Sequence, residues 1–202
     1  MDVDLQLNTR KDESEVLVHS CAERELAIAD WLLSTHPAPA EARREWAENK
    51  VVLLPLGTLC SAVRLPARLV HAVADCGDPV DVDAFLDEVL DGGPVVCDPR
   101  GPRYYALVPG SMPTTWRDAA EEWGRLGVDC LGPGAYLGVP KVDVVEFDPR
   151  TFASYWAVPM PSAGMLCAPL KVARLIAAGK RVLEEDAVAG IEPTYLPASG
   201  AR

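Results

Sequence analysis

The apolar positions of this chain switch between helical and extended spacing several times. From Cys21, Leu26, Ala29 and Leu33 fall on one helical face, widened by Trp31 and Leu32. That helix should end near Ser34, because His36-Pro37-Ala38-Pro39 cannot continue it. A second helix is expected from Ala40 to Asn49, with Arg43, Arg44 and Glu45 outward and Trp46 as core anchor. Val51 to Pro55 and Leu59 to Leu65 read as strands around a turn at Gly57, and Ala67 to Ala74 as a helix packing Leu69, Val70 and Val73 onto a sheet.

Gly77 to Pro79 then breaks the chain, and Val82 to Leu90 is again helical, with Asp81 or Val80 near its start. Val95 to Cys97 and Tyr104 to Val108 should pair as a hairpin across a loop rich in proline and glycine. Thr114 or Thr115 can cap a helix running through Trp116, Ala119, Ala120 and Trp123. Tyr136 to Pro140 is a short strand-like run, Val142 to Phe147 an edge strand or an extended loop, and Tyr155 to Pro159 a further strand. A last helix is expected from just after Pro169 to near Glu185. Neighbouring strands with helices between the pairs favour an α+β fold, with a mixed or antiparallel sheet flanked by helices. Residues 1–20 and 189–202 read as flexible ends around a single domain at 21–188.

Composition narrows the function classes. The chain has 202 residues, 49% of them apolar and 24% charged, a globular balance. A net charge of −11 repels nucleic-acid phosphates unless cations gather, and Arg43, Arg44, Lys50, Arg64, Arg68, Arg100 and Arg103 are scattered. Nucleic acid is therefore a doubtful partner. The six cysteines form no C-x-x-C pair and the three histidines no cluster, so zinc is not expected and reduced thiols are. With no signal peptide and no apolar run approaching the roughly 20 residues of a membrane span, a cytoplasmic protein without a membrane partner is the expectation.

Single motifs are weak. Asp81-Val82-Asp83 reads as the acidic start of a helix rather than a metal pair. Gly132-Pro133-Gly134 reads as a tight turn or a close backbone approach, since Pro133 removes a phosphate-cradling donor. Ser61 lacks a nucleophile setting and reads as a strand serine. His71 reads as a boundary residue, and Tyr104, Tyr105, Tyr136, Tyr155 and Trp156 as core or partner-facing aromatics.

Their order carries a resemblance. Pro39 to Trp46, the strand-turn-strand through Gly57 to Val63, Gly101 to Pro109, and Asp129 to Pro140 together resemble the bifunctional DNA primase/polymerase (prim-pol) domain of the archaeo-eukaryotic primase superfamily. The reduced prim-pol-like proteins of high-GC bacteria are the most similar. The resemblance implies a primase/polymerase-like fold over roughly residues 22–140. It places the family's two metal-binding acids at Ser61 and Val63, its phosphate-contacting histidine at Arg103 or Tyr104, and one remaining acid at Asp129.

Serine and valine cannot replace carboxylates as ligands of a hard cation. The resemblance therefore implies a catalytically degenerate domain that acts as a binding or regulatory module, with no catalytic residue, metal or cofactor. Its vestigial site would comprise Ser61, Arg103, Tyr105, Asp129, Gly132, Gly134 and Tyr136. A protein partner, or a small phosphorylated ligand near Arg103 and Asp129, is expected. The alternatives are residual nucleotidyl transfer, which would need magnesium or manganese on Asp81, Asp83 and Asp129, and a nucleic-acid-binding remnant.

Overall fold

The computed structural model describes residues 20–189. Of the flexible ends expected at 1–20 and 189–202, only Ser20 and Ala189 are described, each in a helix; the rest lie outside the described residues. The elements in chain order begin with α1 (20–33), α2 (Pro39–Asn49), β1 (Val51–Pro55), β2 (Cys60–Pro66), α3 (Ala67–Ala74) and α4 (Pro79–Leu90). They continue with β3 (Val95–Asp98), β4 (Arg103–Pro109), α5 (Met112–Thr115), α6 (Arg117–Trp123) and a 3-10 turn (Gly124–Leu126). The last are β5 (Asp129–Leu131), β6 (Tyr136–Pro140), β7 (Tyr155–Val158) and α7 (Pro169–Ala189).

Five strands form one antiparallel sheet in the order β5-β2-β4-β3-β7, and β1 pairs with β6 in a separate two-stranded sheet. The fold is α+β, as the strand and helix pattern predicts. The large sheet is buried on both faces, which explains why β2 and β3 read as nearly unbroken apolar runs. Val63, Leu65, Cys97, Tyr104 and Tyr155 pack toward α3, α4 and α7. Ala62, Val96, Leu107 and Trp156 pack toward α1, α2 and the β1–β6 pair. Trp46 anchors α2 as expected, 3% exposed, with its indole N–H donated to Val139 O at 2.8 Å. Among the described residues no helix is long and apolar enough to cross a membrane.

Several boundaries differ from the sequence expectation. Helix α4 begins at Pro79, three residues before Val82, with Asp78 as its cap accepting from Val80 N at 3.0 Å; Val80 and Asp81 lie in its first turn, near its start as expected. A proline preset to helical φ extends the helix by one turn. The helix expected to run from Thr114 or Thr115 through Trp116 is broken there. Trp116 has φ −117° and ψ 27°, and its ring packs with Trp123 beside the core. Neither threonine caps it; both lie in α5, and Thr115 Oγ1 donates back to Ser111 O. Val142 to Phe147 takes the extended-loop alternative, tied down where Trp156 N donates to Val144 O. Helix α7 passes Glu185 and continues to Ala189.

Candidate functional site

The predicted site residues divide between two faces of the large sheet: Ser61 lies beside Gly132, whereas Tyr105 and Asp129 both pair with Arg64 and share the other face. Ser61 is fully buried in β2 and donates its hydroxyl to Gly110 O at 3.2 Å. Val63 lies in the core on the same face. Asp129 pairs in register with Arg64, one residue out of step with Val63, so it belongs to the opposite face. There Arg64 Nε donates to Asp129 Oδ2 at 3.0 Å, with a second donor from Nη2. Arg103 starts β4, whereas Ser61 pairs with Val108 near its other end. The five residue steps from 103 to 108 span about 17 Å of strand. Tyr105 faces the α1–α2 side, and Tyr136 is 64% exposed on β6.

The glycines are structural. A Cβ at Gly132 would sit 2.8 Å from Pro113 Cγ, and one at Gly57 (φ +97°) 2.5 Å from Pro133 N. The backbone approach foreseen at Gly132-Pro133-Gly134 is thus to the chain itself. Gly134, at φ +87°, turns the chain into β6.

The donor set does not fit the divalent metals of the prim-pol family. Ser61 holds its hydrogen bond inside the core, Val63 has no donor atom, and Asp129 is held by Arg64 on the other face. The relocated trio fails as well. Asp81 and Asp83 belong to α4, which packs on β7, and Asp129 to β5 at the opposite edge of the sheet. Four inter-strand steps separate those edges, about 19 Å. Among the described residues no group of three or more His, Cys, Asp or Glu converges on one point.

Arg103 nevertheless stands at a concave place. A cleft of about 240 Å³ opens between the β3–β4 hairpin, α3 and the 147–152 loop, with Arg103, Tyr104, His71, Phe147, Phe152 and Tyr155 in its wall. Its floor is a row set by strand register: Cys97 on β3 lies opposite Tyr104 on β4 and opposite Tyr155 on β7. Helices supply the ends of the row. His71 Nε2 on α3 lies 3.4 Å from the Tyr104 hydroxyl, and Tyr155 donates its hydroxyl to Asp83 Oδ1 on α4 at 3.2 Å.

Burial governs the electrostatics of this row. It pushes the Asp83 carboxyl up to about 7, an effect opposed by the Tyr155 hydrogen bond and reinforced by the charge of Asp78. Burial also lowers His71, raises both tyrosine hydroxyls and pushes the Cys97 thiol up to about 12. Near neutral pH Cys97 is therefore a thiol without nucleophilic character. The floor is largely uncharged, and a guanidinium stands at the rim. Such a place suits binding more than bond-making.

Sequence reasoning reached Arg103 but passed over Asp83, His71, Cys97 and Tyr155 as capping, boundary or core residues. The one available signal was Asp83 at i+4 from Pro79, on the face of α4 next to Val82 and Leu86, which are buried. Comparison with protein-family models, with curated proteins and with solved structures finds no match to this chain.

Proposed function

We propose that the protein is a binding or regulatory module on a degenerate prim-pol-like scaffold, working in the cytoplasm through a protein partner or a small anionic ligand. One observation carries this reading: the three positions where the resemblance puts metal-binding acids hold a buried, hydrogen-bonded serine, a core valine, and an aspartate turned to the other face. In-line transfer of a nucleotidyl group needs carboxylates converging on cations about 3.5–4 Å apart. The unbridged cysteines support a reducing compartment.

The test pairs two measurements on the full-length protein. With a primed DNA template, nucleoside triphosphates and magnesium or manganese, no extension is expected. Extension that Asp129→Ala abolishes would overturn the proposal. Calorimetric titration with inorganic phosphate, nucleotides and simple organic acids should give saturable heat with at least one. A gel shift at low salt should show no nucleic-acid complex.

A further inference from the structure

Building on that binding role, we infer that the cleft beside Arg103 receives a small aromatic monocarboxylate, its carboxylate forked onto Arg103 and its ring against Phe147 and Phe152. Size is the first argument. At about 240 Å³ the cleft lies below the range of roughly 300–1,000 Å³ that holds drug-sized ligands, so a single ring with one substituent fits.

Shape is the second. Phe152 is 47% exposed and has φ 51°, a left-handed conformation that a bulky side chain adopts only under constraint. The constraint is a hydrogen-bonded loop. Phe152 N donates to Asp148 O at 2.9 Å, and the Asp148 carboxylate accepts from Arg150 N and Thr151 Oγ1. Arg100 Nη2 holds Thr151 O at 2.8 Å. Backbone strain is thus spent on keeping an aromatic ring at the mouth of a cleft. Phe147 meets that ring edge-on at 5.5 Å between centroids.

Charge is the third. Asp98, opposite Arg103 in the β3–β4 register, has Oδ1 engaged by Arg100 N, Asp148 is engaged within its own loop, and Asp83 by Tyr155. Arg103 takes part in none of the ion pairs among the described residues. A guanidinium so placed offers two parallel donors to a carboxylate. Arg103 in the wall and Arg100, bonded to the 147–152 loop, stand beside the carboxylates of Asp98 and Asp148, a balance that suits a monoanion better than a phosphate dianion and favours a carboxylate over the phosphorylated ligand foreseen from sequence.

The experiment is calorimetric titration of the full chain with benzoate, the neutral isostere benzamide, and phenyl phosphate. Benzoate should bind saturably, and benzamide and phenyl phosphate about tenfold or more weaker. Arg103→Gln, an exposed position, should weaken benzoate about tenfold without lowering the melting temperature. Phe152→Gly should weaken benzoate while leaving the melting temperature equal or higher, because glycine adopts positive φ freely. Equal affinities for benzoate and benzamide, or benzoate binding unchanged by Arg103→Gln, would overturn the inference. Tighter binding of phenyl phosphate would overturn it in favour of a phosphate site. Silence from all three probes, with saturable binding of another ligand, would overturn this site alone; primer extension would overturn the module reading instead.

Discussion

The hydroxyl of Tyr155 donates to the carboxylate of Asp83 at 3.2 Å, joining β7 to α4 across 72 residues of sequence. The pair places a carboxyl where water is scarce, and its proton is held to about pH 7 against an ordinary value of 3.8. The groups around it are Tyr155 on β7, Cys97 on β3 and Asp78 at the head of α4. A carboxyl whose folded pKa is raised adds stability that is complete below the unfolded value and lost as pH rises through the folded one. Asp83→Asn keeps an acceptor for Tyr155 and removes the titration. The variant should be the more stable at about pH 8, by about 1–2 kcal/mol after solvent screening, and should lose that advantage near pH 4. Urea denaturation of both proteins across that range reads the effect; parallel curves would rule out Asp83 as its source.

Ser61 occupies a position with no room for charge. Ser61→Ala, which removes the bond to Gly110 O, should cost about 1 kcal/mol, whereas Ser61→Asp should cost more than about 3 kcal/mol. The double change Ser61→Asp with Val63→Asp should gain no manganese binding by calorimetry. A stable double variant that binds manganese would show that the metal geometry persists.

Arg64 and Asp129 are partly exposed, at 32% and 43% of their side chains. Their coupling in a double-mutant cycle with Arg64→Met and Asp129→Asn should be about 1 kcal/mol or less. It should shrink further at about 1 M salt. A coupling unaffected by salt would mean that the hydrogen-bond geometry, not the charge, dominates.

Gly57 and Gly134 share positive φ but not surroundings. An alanine at 57 would meet Pro133 backbone at 2.5 Å, while nothing lies within 4 Å of a Cβ at 134. Gly134→Ala should therefore cost only the backbone term, about 1–2 kcal/mol, and Gly57→Ala clearly more. Thermal denaturation of the two variants side by side measures the difference, and equal losses would remove the steric part of the explanation.

Proline and glycine punctuation placed most elements within a few residues, because these two residue types act on φ locally and need no partner. Trp46 was legible as an anchor for a similar reason, standing alone as the large apolar residue of a polar helix. Trp116 was misread because its break follows from where its ring packs, not from propensity. The same limit governs the site. Ser61 and Asp129 look like companions in sequence order, yet Asp129 pairs with Arg64, and strand alternation puts it on the far face of the sheet from Ser61.

The sequence by itself determined the α+β class, the succession of helices and strands, and the absence of carboxylates at Ser61 and Val63. All three are properties of residue type and spacing. The tertiary structure alone decided that Cys97, Tyr104 and Tyr155 form one row and that His71 and Asp83 close its ends. It also decided that Arg103 lines the cleft over this row, while Asp129 is held by Arg64. Those neighbours are set by strand register and helix docking, which depend on how both faces of the sheet are filled at once.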